Sequence, residues 1–362
     1  MEGLVRVKLK QFYKGKRVLI TGHTGFKGAW LSQILLQFGA KVSGYSLKPN
    51  TDPNLFSVLK LGKNLNHNLG DIRNLEKFNE VVKKFKPDII FHLAAQPLVR
   101  DSYDDPRYTY ETNVMGTVNV LESVKNNKIK VAVIITTDKV YKNFEKDVAY
   151  KEGDPLGGHD PYSNSKACAD LVVDSYIKSF FDPKDYGKKH SSAIASARAG
   201  NVIGGGDWAK DRLVPDAMRA FLSDNIDLVI RKPNAIRPWQ HVFEPLYGYL
   251  LLGQRLFEGD KTIIGAWNFG PSLSDMQTVE NVLCLVINHL NKGKYAIQSD
   301  KDKHEATNLK LDNRKAISKL KWRPRMNLNQ AVEATCTWYD NYYNKKQDII
   351  RYSNQQIDQY FK

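Results

Sequence analysis

Cysteine is scarce in this chain of 362 residues: Cys168, Cys284 and Cys336 stand far apart and are odd in number. With no CxxC pair and no Cys/His cluster, a disulfide framework and a structural zinc site both lack the residues they need, and no metal centre is expected. Such cysteine usage suits a reducing cytoplasm. Long hydrophobic runs are missing too. Tyr249 to Leu252 is broken by Gly253 and Gln254, and Val282 to Ile287 is bounded by Asn281 and Asn288. Neither run can span a bilayer, so no membrane segment is expected. The opening stretch, Met1 to Lys14, interleaves Arg6, Lys8 and Lys10 with its apolar residues and has no apolar core of signal-peptide length.

Carboxylates are in deficit. Asp+Glu 39 against Lys+Arg 54 leaves a formal net charge of +15. An excess of that sign admits a nucleic acid, an anionic membrane or a small phosphorylated ligand as partner. The lysines are scattered, however, as in Lys301-Asp302-Lys303 and Lys345-Lys346, with no continuous basic stripe and no interleaved aromatics. Nucleic acid is therefore not the expected partner. With 42% hydrophobic and 26% charged residues the chain is globular in composition, and its length allows one large α/β domain or two unequal lobes.

Short apolar runs alternate with amphipathic segments through the first two-thirds, the βαβ rhythm of a parallel sheet. Strands are expected at Arg17 to Thr21, Lys41 to Leu47, Asn64 to Leu69, Ile89 to Leu93, Val131 to Thr136 and Ser191 to Ala197. Helices are expected at Gly25 to Phe38, Asn74 to Phe85, Pro106 to Val124 and Tyr162 to Phe181. Beyond Gly200 the rhythm becomes irregular, with one clear helix from Asn281 to Leu290. The fold class is α/β, a Rossmann-type doubly wound parallel sheet over residues 14–200. Residues 201–362 then form mainly a smaller substrate-binding lobe, with segments returning to the first domain. The polar tail from Asn344 is expected to be partly mobile.

Directly after the first strand comes Gly22-His23-Thr24-Gly25-Phe26-Lys27-Gly28, then a helix. Glycines there permit a tight turn and close approach of the backbone to a pyrophosphate, while free N–H groups at the helix start face the phosphate charge. Dinucleotide binding follows from that placement. Farther on, Tyr162-Ser163-Asn164-Ser165-Lys166 puts a phenol and an ammonium four residues apart on one helical face. A nearby cation stabilises a phenolate, so Tyr162 is a candidate base toward a sugar hydroxyl, with Lys166 beside it. The fifth strand ends in Thr136-Thr137-Asp138-Lys139, where an acid beside a base could protonate a leaving hydroxyl and remove a carbon-bound proton. A lysine does the second task only if its pKa is lowered, and another group in that role stays open.

The GxxGxxG spacing, with Asp71-Ile72 after the third strand, His92-Leu93-Ala94-Ala95 at the end of the fourth and Asn113 in the next helix, resembles the extended short-chain dehydrogenase/reductase family. That resemblance implies NAD as cofactor, held by Gly22, Thr24, Gly25, Phe26, Gly28, Asp71, Ile72, Leu93, Ala94 and Ala95 together with Tyr162 and Lys166. Thr137 matches the family's Ser/Thr position, bonding the reacting oxygen. The second strand ends in Gly44-Tyr45-Ser46-Leu47-Lys48, without the usual ribose-binding carboxylate, so NAD against NADP stays open on this fingerprint.

Three further runs narrow the resemblance to the nucleotide-sugar 4,6-dehydratases and their CDP-glucose branch: the first loop with Trp30, Ala197 to Trp208 (ARAGNVIGGGDW), and Ile236 to Val242 (IRPWQHV). Asp138-Lys139 fits that branch, whereas dTDP-glucose relatives commonly carry Asp-Glu. The resemblance spans about Lys14 to Tyr343. It implies CDP-glucose or a related nucleotide sugar as substrate, with Asn201, Arg212, Arg237 and His241 as candidate substrate-binding residues. It also implies a homodimer and a place in deoxysugar synthesis for surface polysaccharide. Another nucleotide-sugar dehydratase or a 4-epimerase is the alternative; a non-catalytic Rossmann protein holding nucleic acid is the remote one.

Overall fold

The computed structural model describes residues 2–145, 148–298 and 309–362, with side chains from Lys8 onward, so Lys301 to Lys303 lie outside the described residues. Seven strands form one sheet: β1 (Arg17–Thr21), β2 (Lys41–Ser46), β3 (Asn66–Leu69), β4 (Ile89–His92), β5 (Val131–Ile135), β6 (Ala193–Ala199) and β7 (Gly265–Phe269). Their order is β7-β6-β5-β4-β1-β2-β3, and every pairing is parallel. The first six fall where apolar runs place them, within two or three residues at the ends. β7 comes from the irregular region and joins the edge beside β6, with Gly265 opposite Ala195 and Phe269 opposite Ala199.

Helices cover both faces, which is why the strands read as continuous apolar runs. Alternate residues of β5 serve different cores: Val131, Val133 and Ile135 face one, Ala132 and Ile134 the other. On the first face lie α1 (Glu2–Tyr13), α2 (Phe26–Gln37) and α6 (Phe243–Phe257). On the second lie α3 (Leu75–Phe85), α4 (Gly116–Asn126) and α5 (Pro161–Phe180), through Phe78, Val120 and Val173. The long helix expected from Pro106 is realised as Pro106–Tyr110, a π-helical stretch Glu111–Met115, and α4.

The tail differs from expectation. After α7 (Val279–Leu290) and α8 (Leu328–Tyr343), it forms a capped helix, α9 (Ile349–Tyr360). The Asp348 carboxylate accepts from the Arg351 N–H at 2.8 Å, and Ser353, Gln356, Ile357 and Tyr360 are buried. Those four positions make one helical face, and its polar members are buried because each is bonded: Trp338 Nε1 donates to Ser353 Oγ at 2.8 Å, and Tyr360 Oη to Glu244 at 2.9 Å. Asn354 also accepts from Gln33 of α2 at 2.6 Å. Polarity here is interior hydrogen bonding, not solvation.

No helix of the described residues is long and apolar enough to cross a membrane, and no group of three His, Cys, Asp or Glu side chains among them is placed to hold a metal.

Three imidazoles are enclosed. Burial pushes His23, His92 and His241 each down to about 3, with neighbouring His67 and Lys166 adding to the effect on His23 and His92 respectively. Their native pKa lies below the unfolded value, so the unfolded chain takes up protons that the native one refuses as pH falls below about 6.5. The three together should cost up to about 4 kcal/mol of stability per pH unit between pH 6 and 5. Urea unfolding across that range should show this slope, and His241→Gln should remove about one third of it. A flat profile would rule out neutral burial of these side chains.

Candidate active site

The glycine-rich turn sits where β1 has β2 on one side and β4 on the other, at the carboxyl ends of the strands, the switch-point crevice of a doubly wound sheet. Gly22 takes φ +74°, and a Cβ there would lie 2.7 Å from Ala94 N. A Cβ on Gly28 would lie 2.1 Å from Gly22 O, so α2 meets the turn only because that carbon is missing. Gly25 caps α2 without a side-chain bond, leaving the first amides of a twelve-residue helix aimed at the crevice. These features fit a dinucleotide pyrophosphate.

The turn is braced from beside. Thr24 Oγ1 lies 2.8 Å from Ser46 Oγ and donates to Leu47 O at 3.0 Å, so its hydroxyl fastens the turn to the end of β2. His23 Nε2 is 2.7 Å from His67 Nδ1. Leu93 N and Ala94 N donate to the Thr21 carbonyl and hydroxyl, fixing the end of β4 along the crevice. Although burial raises it, the fork of Arg73 holds the Asp71 carboxyl below its ordinary range, with Nη2 2.8 Å from Oδ2. Ile72 is buried beside it. Asn113 lies on the π-helical turn, where its side chain accepts from Gln96 N at 2.9 Å and donates to Gln96 O and Ser165 Oγ. It joins the loop after β4 to α5.

Next to the crevice is a cavity of about 630 Å³. Thr137, Asp138, Lys139, Tyr162, Asn201, Arg212 and Arg237 line it, as do Phe26 and Lys27 from the glycine-rich turn and the start of α2. Asp160 caps α5, accepting from Ser163 N at 2.9 Å, and Pro161 starts it, which puts Tyr162 in the first turn at the cavity wall. Thr137 donates to Asp138 Oδ1 at 3.0 Å, while Oδ2 is buried without a partner. Burial raises the Asp138 carboxyl above its ordinary value, against Lys139, Thr137, Arg237 and Lys27. A carboxyl whose pKa burial raises is better suited to giving a proton than an ordinary one.

Two expectations are corrected. Tyr162 and Lys166 share a helix face, but the ammonium lies behind the cavity, donating to Ile135 O at 3.1 Å. Burial pushes the Tyr162 phenol up to about 12, with Asp138 adding and Thr137 and Arg212 opposing. Burial, together with Lys27, brings Lys166 down to about 8. Desolvation therefore outweighs the cation–phenol attraction read from the spacing. His241 is not on the cavity wall. It is fully buried, its ring 4.5 Å from that of Phe243, with Nε2 unpartnered. The short strand Gln240–His241 pairs with Val202–Ile203, and that pairing turns the imidazole into the core.

Several residues that matter here were not singled out from the sequence. Asp207 is one of them, pairing with Arg212 at 2.7 Å. Trp30 Nε1 donates to Gly205 O at 2.9 Å and so ties α2 to the glycine run of the substrate side. Beneath the catalytic segment, Arg198 on β6 bonds Asp170 on α5 at 3.0 Å, with side chains 4% and 1% exposed. Thr136 Oγ1 donates to the same carboxylate at 2.8 Å, Arg198 Nη1 donates to Tyr141 Oη at 2.8 Å, and Tyr141 donates to Asn268 on β7 at 2.7 Å. The one advance signal is a charge inside a strand of small and apolar residues, Arg198 in AIASARA.

Strand order, with the glycine turn at its switch point, defines a Rossmann-type doubly wound α/β protein. Within that class it belongs to the family described as GDP-mannose 4,6 dehydratase, whose model matches residues 19–335. It is similar to a CDP-glucose 4,6-dehydratase of Salmonella typhimurium, 47% identical over 353 residues that cover 97% of this chain and 98% of the relative. Among solved structures, it resembles the dTDP-glucose 4,6-dehydratase of Bacillus anthracis in complex with NAD, with a TM-score of 0.74, 24% identity, and coverage of 91% of this chain and 98% of that one. The UDP-glucose 4-epimerase of Thermus thermophilus in complex with NAD gives a TM-score of 0.76 at 21% identity, covering 89% and 98%.

Removing one partner of a buried ion pair leaves the other charged in low dielectric. Asp170→Asn should therefore cost about 3–5 kcal/mol of stability, read as a lower urea midpoint. A loss below about 1 kcal/mol would mean that Arg198 finds another partner or water.

Proposed function

We propose that the chain removes water from CDP-glucose to give CDP-4-keto-6-deoxyglucose with NAD as resident cofactor. In this reading residues 14–200 hold the cofactor and residues 201–362 most of the substrate. The observation that carries it is the near full-length similarity to a CDP-glucose 4,6-dehydratase. It is supported by Thr137, Asp138, Lys139 and Tyr162 lining one cavity together with Arg212 and Arg237.

Tyr162 takes the proton of the C4 hydroxyl while Thr137 bonds the C4 oxygen. Arg212 opposes the burial that keeps this phenol protonated. The C4 ketone acidifies the hydrogen at C5, which Lys139 removes. Asp138, its carboxyl raised by burial, protonates the C6 hydroxyl as it leaves as water. NAD held in the crevice would supply a reversible hydride acceptor for C4 and donor for C6. A proton delivered to C5 completes the product, with no net redox change. Arg237 offers its guanidinium fork, and Asn201 its amide, to the nucleotide diphosphate and sugar. Gly22, Gly25, Gly28 and the start of α2 receive the cofactor pyrophosphate. Thr24, Asp71, Ile72 and Leu93 to Ala95 shape the rest of that crevice.

The reading extends to a cytoplasmic homodimer acting in deoxysugar synthesis for surface polysaccharide. Exposed Met115, Leu171 and Phe180, on the π-helical stretch before α4 and on α5, suit a dimer across the helices flanking the sheet. Light scattering should return twice the chain mass, and a monomer at micromolar concentration would overturn that part.

Incubation with CDP-, UDP-, GDP- and dTDP-glucose, each product weighed, should show loss of water from CDP-glucose and a 4-keto chromophore in base. A product of unchanged mass would mean epimerisation, and turnover of another nucleotide only would overturn the CDP assignment. Asp138→Asn and Lys139→Ala should each lower kcat about 10²–10⁴-fold. A variant retaining near-normal dehydration would remove that residue from its role.

A further inference from the structure

Lys27, the second residue of α2, lines the cavity alongside Asp138, Tyr162 and Arg212. It is close enough to Arg212, Asp138, Asp207 and Lys166 to shift or be shifted by each of them. Yet among the described residues its ammonium has no hydrogen bond and no ion pair. Of the carboxylates in reach, Asp207 accepts from Arg212 at 2.7 Å, and Asp138 accepts from Thr137 through Oδ1 while its Oδ2 has no partner, so neither bonds the ammonium. Lys27 is half-buried, and a lysine withdrawn from solvent is ordinarily paired with an anion. Here two further cations, Arg212 and Lys166, crowd the same place. Burial foremost, then Arg212, brings the ammonium down to about 8. The counter-charge has to arrive with what binds.

Both molecules of the reading above carry a diphosphate, and the inference rests on that reading. We propose that Lys27 is a diphosphate-binding residue, its ammonium taking a phosphate oxygen at the junction of the cofactor turn and the substrate cavity. The amides of the α2 start bind phosphate by backbone alone and carry no net charge. Lys27 adds a full charge and a donor that can reach either diphosphate. Lys27 shares the cavity wall with Arg212, Arg237 and Asp138, so an anion bound there meets several cations at once.

Calorimetric titration of the full chain with NAD, and separately with CDP, distinguishes the two sources. Lys27→Met should weaken at least one of them about tenfold or more, the scale of a lost charge-assisted hydrogen bond, while Lys27→Arg should stay within about threefold of the parent. Weakening of NAD alone assigns the cofactor diphosphate, and weakening of CDP alone that of the substrate. Binding of both within about twofold in Lys27→Met, or failure of Lys27→Arg to restore the weakened ligand, would overturn the proposal. If the parent chain itself does not bind CDP, the nucleotide assignment fails and the NAD arm alone decides for Lys27.

Discussion

The Arg198–Asp170 ion pair is the fixed point of the active side of this fold. Three elements that carry chemistry meet at it: β5, whose end leads to Thr137 through Thr136; α5, which presents Tyr162; and β6, which runs on toward Asn201. Charges this deeply buried are tolerated only when every donor and acceptor is used. Here Asp170 receives Arg198 and Thr136, and Arg198 continues to Tyr141 and the Glu152 carbonyl. Through Tyr141 and Asn268 the network reaches β7 at the sheet edge. Apolar packing could bring the same elements together but would leave their register looser. Directional bonds set the relative heights of the phenol, hydroxyl and carboxyl above them.

Above that base the cleft is governed by desolvation. Tyr162, Lys166, Lys27 and Asp138 are each displaced toward the uncharged form, and burial is the largest cause in every case. In the proposed reaction Tyr162 must give up the proton that burial favours, so a cation such as Arg212 has to offset burial there, whereas the upward shift of Asp138 suits an acid. Charge introduced by ligands then has a large effect, because little water is present to screen it.

Much of this was legible in advance, for reasons that differ by element. Strands β1, β4 and β5 announce themselves as β-branched runs buried on both faces, and the turn after β1 by glycines that geometry requires. β3, with sequence NHNL, is weaker because side-chain amides hold it: Asn68 donates to Gly44 O at 3.0 Å and to Ser43 Oγ at 3.1 Å. β7 is short and irregular, and only its neighbour β6 makes it a strand. Candidate catalytic residues could be listed from spacing, but not the direction in which burial shifts Tyr162 and Lys166. His241 failed as a wall residue because a two-residue strand pairing decides where it points. The tail was misread for a related reason: serine, glutamine and asparagine look solvated in sequence and are interior partners in three dimensions.

That last helix has a consequence for how the molecule is made. α2, the helix that opens the cofactor crevice, is finished on its outer side by α9, through Gln33 and Asn354. The two contacting residues lie 321 positions apart in sequence, so the outer face of the nucleotide-binding unit stays uncovered until α9 has been made and has docked.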